Sequence, residues 1–148
     1  MKVIEILSAL LTPVIAVVTT YIAIQQFRTN QAKFKLEMFE KRYAIYSEIK
    51  TYIQLSVREG TVTHGAILEL NEQTHDVFFL FDESVDRYIA ELRSNGARLI
   101  YLNSCLSDQA LGIGEERSRL AEESAQIHTW FGAQLEQAKQ VFKRFLRI

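Results

Sequence analysis

The chain has little of what interrupts a helix and little of what builds a covalent or metal framework. One proline and six glycines in 148 residues leave few places for a backbone to turn, so long helices and short connections are expected. A single cysteine, Cys105, excludes an intramolecular disulfide and any multi-cysteine metal knuckle, and it suits a reducing compartment. A formal charge of -1 leaves no excess of either sign, which argues against a disordered polyelectrolyte and against a generic nucleic-acid binder. At 17.1 kDa the chain holds one domain at most, with short segments attached.

One stretch also lacks charge altogether. Residues 6–24 (ILSALLTPVIAVVTTYIAI) contain no Asp, Glu, Lys, Arg or His, and nineteen helical residues at about 1.5 Å each reach about 28 Å, close to the apolar thickness of a bilayer. The run is too long for a signal peptide, lacks its positive N-region, and is followed by Gln25, Gln26 and Phe27 instead of a small-residue cleavage site. It reads as an uncleaved membrane anchor, residues 1–28; a helix buried inside a soluble fold is the less favoured alternative. Lys2 and Glu5 offset each other before the run, whereas Arg28, Lys33, Lys35, Lys41 and Arg42 follow it against only Glu37 and Glu40. The positive-inside rule then puts the N-terminus outside and residues 29–148 in the cytoplasm.

Within that run Ser8, Thr12, Ala16 and Thr20 recur every four residues and form a ridge of small side chains. Such a ridge permits close approach of a second helix and hence self-association. Equally, Ser and Thr can bond back to their own helix carbonyls and face lipid. Pro13 either bends the helix or marks an early turn.

Beyond the anchor, apolar residues repeat at three and four. Phe39, Tyr43, Tyr46, Ile49, Ile53 and Val57 predict a first helix ending near Glu59, before Gly60 and Gly65. Ile67, Leu70, Val77, Phe78 and Phe81 predict a second over 65–81. Asp82 or Ser84 then caps a third, whose stripe is Val85, Ile89, Leu92, Leu99 and Leu106. Its register runs through Asn95-Gly96, so the helix is read as continuous, with Gly96 on the buried stripe admitting a neighbour. A loop over 107–114 leads to a last helix over 115–148, with Leu120, Ser124, Ile127, Phe131, Leu135, Ala138, Phe142 and Phe145 facing inward. No strand pattern occurs. The expectation is an all-α chain: one N-terminal transmembrane helix followed by an antiparallel, up-down cytoplasmic four-helix bundle.

Charge is uneven along this bundle. Residues 59–136 hold 14 acidic and 5 basic side chains, whereas 137–148 hold 4 basic and none acidic. Up-down topology brings the C-terminus back beside the first bundle helix. Arg28, Lys33, Lys35, Lys139, Lys143, Arg144 and Arg147 then form a candidate membrane-surface basic cluster for anionic headgroups, unless the last four are simply solvated cations at a helix C-terminus.

Catalytic constellations are scarce. His64, His75 and His128 show no paired metal spacing. Glu72-Gln-Thr-His75 matches half of the Glu-x-x-His pair of di-metal bundles, but Glu123 and His128 have the wrong spacing to supply the other half. Gly112-Ile-Gly114 lacks the third glycine, the preceding strand and the Lys-Ser/Thr of a phosphate loop. Asp82 to Asp86 is acidic like a calcium loop but enters a helix, which suits a cap. Tyr43, Tyr46, Tyr88 and Trp130 are candidate stacking surfaces for a nucleotide, although packing explains them equally. No cofactor, metal or catalytic residue is assigned.

The segments FKLEMFEKRYAIY (34–46), FFLFDESVDRYIAEL (78–92) and FKRFLRI (142–148) resemble those of a widespread group of small, mostly uncharacterised bacterial proteins with one N-terminal membrane helix. That resemblance spans nearly the whole chain. It implies an anchor-plus-bundle design and an inner-membrane location, and carries no catalytic residues. The expected function is a membrane-anchored interaction or signalling module that forms homo-oligomers and recognises a cytoplasmic protein or ligand. The alternative is a membrane-perturbing effector of a defence or toxin system.

Overall fold

The structure is a computed structural model that describes residues 2–108 and 112–147, with the side chains of residues 2–10 and 12 outside the described set. Among the described residues every regular element is helical and no strand occurs. The elements are α1 (Lys2–Glu59), α2 (His64–Gln73), α3 (Val77–Leu80), α4 (Glu83–Ser107) and α5 (Glu115–Phe142).

α1 merges what the sequence divides into an anchor helix and a first bundle helix. The reason is local. Residues 25–59 contain neither proline nor glycine and are rich in Gln, Lys, Glu, Leu, Met and Ala, all good helix formers, so nothing stops propagation. Pro13 lies inside the helix, and Gly60, at φ +62°, ends it in the left-handed conformation that glycine adopts without a Cβ clash. The chain divides into two compact units, one through Met38 and one from Phe39 onward.

In the first unit the described large apolar side chains from Leu11 to Phe27 stay uncovered. Leu11, Val14, Ile15, Val17, Val18, Tyr21, Ile22, Ile24 and Phe27 are all exposed. Thr19 and Thr20 donate their hydroxyls to the carbonyls of Ile15 (2.6 Å) and Ala16 (2.7 Å). Among the described residues no helix is long and apolar enough to cross a membrane. The uncharged run 6–24 extends into residues 6–10 and 12, whose side chains lie outside the described set.

The second unit has a continuous core of bundle character. α1 contributes Ile45, Ile49, Tyr52 and Ile53, joined by Val62, Leu70 and Val77. α4 contributes Val85, Tyr88, Ile89, Leu92, Leu99 and Leu102, and α5 contributes Leu120, Ile127, Phe131, Ala138 and Phe142. Three expectations are corrected here. First, the buried face of α1 is rotated from the predicted stripe: Tyr43 and Val57 are exposed and Phe39 is half-buried, while Ile45, Tyr52 and Ser56 face inward. Both stripes satisfy the three-and-four spacing, and the position of Phe131 against Tyr52 (ring centroids 6.1 Å) selects between them. Second, the helix expected over 65–81 is two. Thr74 closes α2 by donating its backbone N–H and its hydroxyl to the Leu70 carbonyl (3.0 and 2.6 Å), and a short turn precedes α3. Phe78 and Phe79 consequently point outward, each 80% exposed, although Phe78 was placed on the core stripe. Third, α5 stops at Phe142, six residues short of the predicted end, where a tighter bond from Phe145 N to Phe142 O (2.9 Å) turns the chain back toward Phe81.

Asp82 is the N-cap of α4, its carboxylate accepting from Ser84 N at 3.0 Å. The helix continues through Asn95-Gly96 as expected. Gly96 is buried, and a Cβ there would collide with the Tyr52 hydroxyl, which reaches across to the Leu92 carbonyl (3.4 Å).

Candidate functional site

The most elaborated part of the second unit lies where residues 42–46 of α1, α3, the start of α4 and the end of α5 converge. Phe142, fully buried, is the hub. Tyr46 packs on it at 5.5 Å between centroids and Phe81 meets it edge-on at 5.1 Å, while Phe81 also meets Phe145 at 5.2 Å. Phe81 reaches this position because the chain between α3 and α4 is extended there, at φ -134° and ψ 179°.

Arg42 ties three elements together. Its Nε donates to the Leu80 carbonyl at 3.0 Å, its Nη1 to the Phe145 carbonyl at 3.5 Å, and its guanidinium lies 5.9 Å from the Phe145 ring centre. These carbonyls terminate short helical segments and have no intrahelical donor, so a charged donor is the group that satisfies them well. Arg144 performs the mirrored task at the start of α4, donating to the Asp82 carboxylate and to Ser84 Oγ (2.7 Å). The Ser84 hydroxyl, with Arg144 beside it, holds the Asp82 carboxyl below the usual carboxylate range.

The predicted basic cluster is therefore divided. Arg144 is neutralised by Asp82, and Lys139 bridges to Glu136 at 3.0 Å. Lys143 and Arg147 have no ion-pair partner among the described residues. They line an open groove of about 420 Å³ together with Tyr46, Glu136, Lys139, Gln140 and Leu146. Arg28, Lys33 and Lys35 belong to the other unit. The acidic residues also depart from the expected segregation, because Asp82 sits against the basic C-terminal turn.

Of the self-association ridge, Ala16 and Thr20 are described, and with Val17, Tyr21 and Ile24 they line an open apolar groove of about 400 Å³. Thr20 returns its hydroxyl to Ala16, the local bond that the alternative reading of the ridge requires. The side chains of Ser8 and Thr12 lie outside the described residues.

The remaining candidates do not converge. His75 Nδ1 faces the backbone carbonyl of Glu72 at 2.5 Å, and its Nε2 lies 3.2 Å from Asp76. Glu123 takes a two-pronged bond from Arg98 at 2.6 and 2.8 Å, away from any histidine. Among the described residues no three His, Cys, Asp or Glu side chains are grouped as a metal site. Tyr88, a candidate stacking residue, is buried and donates to the Gln134 carbonyl at 3.1 Å. Burial raises its pKa and pushes that of Tyr52 up to about 12. Trp130 is half-buried and packs edge-on against Phe131 at 5.1 Å. Tyr46 alone of the four candidates both leans on the core and borders the basic groove.

Spacing carried no sign of the Arg42 clamp or the Arg144–Asp82 bridge, because each joins residues at least 38 positions apart. Only the acidic cap at Asp82 hinted at a cation nearby. No protein-family model, no curated protein and no solved structure matches this chain.

Proposed function

We propose that this chain is a single-pass membrane-anchored interaction module. Residues 6–24 lie in the bacterial inner membrane with the N-terminus outside, and the helical unit from Phe39 onward works in the cytoplasm as an antiparallel four-helix bundle. Copies associate through Ser8, Thr12, Ala16 and Thr20, and the bundle recognises a cytoplasmic protein or ligand. No catalysis is assigned.

One observation carries this reading: nine large apolar side chains between Leu11 and Phe27 are 47–70% exposed, left uncovered by the described residues. At about 100° per residue the nine positions together span roughly 240° of the helix circumference, wider than one neighbouring helix face covers. An apolar surface of this extent is unfavourable in water, at roughly 25 cal/mol per Å². A bilayer covers it on every side without requiring a polar stripe.

The effector alternative needs a hydrophilic path along the same segment. Residues 13–24 supply no acidic or basic side chain, and Thr19 and Thr20 spend their hydroxyls on their own helix. The interaction reading is therefore preferred. Fractionation is the test: the intact chain should stay with membranes after alkaline carbonate washing, and protease added to spheroplasts should leave a C-terminal tag intact. A freely soluble chain, or a tag digested from outside, overturns the reading. Depolarisation on induced expression, followed with a potential-sensitive dye, would favour the effector instead.

A further inference from the structure

The end of α5 and the turn that follows it sort their cations by direction. Arg144 turns to Asp82 and Ser84 and lies 4.7 Å from the centre of the Phe145 ring. Lys139, Lys143 and Arg147 instead recur every four positions along one wall of the 420 Å³ groove, with Tyr46 of α1 also lining it. Tyr46 is held there by Phe142, which fixes the distance between the two walls.

Among the described residues that line it, the groove contains one carboxylate, and that carboxylate is already occupied. Glu136 accepts from Lys139 Nζ at 3.0 Å and from Gln140 Nε2 at 3.1 Å, which hold it in the ionised form. Three cations against one anion leave the groove at a charge of +2. Like charges gathered on one wall repel one another, so this arrangement adds nothing to the fold. It does create a local positive potential for an anion.

The donor set narrows the anion. An ammonium supplies three rotatable donors and a guanidinium a planar fork. Together they suit a phosphate group, whose non-bridging oxygens an arginine fork meets two at a time with an ammonium beside them. Tyr46 and Leu146 add an aromatic and an aliphatic surface beside the cations, suited to the organic part of an ester.

We propose that the groove bounded by Tyr46, Lys139, Lys143 and Arg147 binds a phosphate ester, with Lys143 and Arg147 as the cations that hold the phosphate. The ester comes either from a phospholipid headgroup or from a soluble phosphorylated metabolite. The site rests on the groove alone and stands whether or not the first unit enters a bilayer.

Calorimetric titration of the full chain in a neutral detergent tests this. The probes are glycerol 3-phosphate, with glycerol as its uncharged control, and dihexanoyl phosphatidylglycerol, with dihexanoyl phosphatidylcholine as the zwitterionic control. Each is compared between the native chain and a Lys143→Ala/Arg147→Ala double variant, whose mutated side chains are exposed and outside the core. Detergent micelles take up the short-chain lipids equally in both cases, so a difference between the chains reports the groove. The double variant should bind at least tenfold more weakly, and added salt should weaken the native chain's binding. A variant-dependent difference with the anionic lipid alone supports the site and names a headgroup as its source, and a difference with both anionic probes supports a site that takes the phosphate group from either source. A difference with glycerol 3-phosphate alone supports it and names a soluble ester. Equal affinities in the two chains for both phosphate probes, with unchanged helical circular dichroism, overturn the site. A chain that fractionates as soluble yet binds glycerol 3-phosphate defeats the anchor and leaves the groove standing.

Discussion

Two stretches of α1 share one helix and have opposite fates. Between residues 11 and 36 the helix exposes Leu11, Val17, Tyr21, Phe27, Phe34 and Leu36; between 45 and 56 it buries Ile45, Ile49, Tyr52, Ile53 and Ser56. Both are helical throughout, although Pro13 in the first has no backbone N–H to donate. Only the second stretch has partners, with Tyr52 reaching the Leu92 carbonyl and packing beside Phe131. Helix formation is a local event, favoured from residue 14 to Glu59 by the absence of Gly and Pro, whereas burial needs a second surface, from this chain or from another medium.

That contrast breaks most sharply in the core. Phe131→Ala and Phe142→Ala should each destabilise the second unit by about 3–5 kcal/mol, as truncation of a fully buried aromatic does. Val17→Ala should leave its denaturation midpoint unchanged, since Val17 is 70% exposed. Phe39→Ala, at a half-buried position, should fall between these. Equal effects of Phe131→Ala and Val17→Ala in urea titrations would erase the distinction between the two stretches.

Val17→Lys probes the other side of the comparison. A lysine near the middle of the uncharged run should disfavour insertion by about 2.5–3.5 kcal/mol and shift the chain out of the membrane fraction, with its helical signal retained. Unchanged fractionation would separate the exposed apolar surface from bilayer binding.

Gly96→Ala should destabilise by about 1–3 kcal/mol, because the added methyl group meets the Tyr52 hydroxyl. Tyr52→Phe removes the atom responsible, so the double variant should recover much of that loss. Additive effects in the double-mutant cycle would show that the close approach at Gly96 is not what disfavours alanine.

Smaller effects come from titration. Tyr52 and Tyr88 have raised pKa values in the fold, so their contribution is complete below the ordinary phenol value of about 10 and is lost as pH rises through the folded values. Tyr52→Phe should flatten the alkaline limb of stability between pH 10 and about 12. Asp82, Glu123 and Glu136 behave oppositely: their lowered pKa values contribute above the ordinary carboxylate range, and that contribution disappears as pH falls through the folded values. Arg144→Gln should reduce the acid-side slope slightly. Arg98→Gln should change the midpoint least, because its pair with Glu123 is solvent-exposed.

Much of the helical layout was legible in the residues. Val85, Ile89, Leu92 and Leu99 occupy the buried face of α4 that their spacing predicts, Gly96 lies on it, and Asp82 is one of the two caps anticipated. On α5, Leu120, Ser124, Ile127, Phe131, Ala138 and Phe142 follow the same rule. The rule fails where two stripes fit one helix, as at Tyr43 against Ile45, and where a side chain competes for the backbone, as at Thr74. It also says nothing of the direction a cation takes at a helix end. Spacing alone grouped Arg144 with Lys143 and Arg147, and the nearness of Asp82 then separated them.

The amino-acid order by itself determined that this chain is helical, that its first apolar run carries no charge, and where most helices begin. Those properties depend on neighbours within one or two turns, and short-range sterics and hydrogen bonding decide them. Tertiary structure decided which face of α1 is buried, that Phe78 and Phe79 remain outside, and which of the C-terminal cations are left to line an open groove. Each of these depends on contacts between residues far apart in the chain, and local periodicity contains no information about which distant surface will arrive.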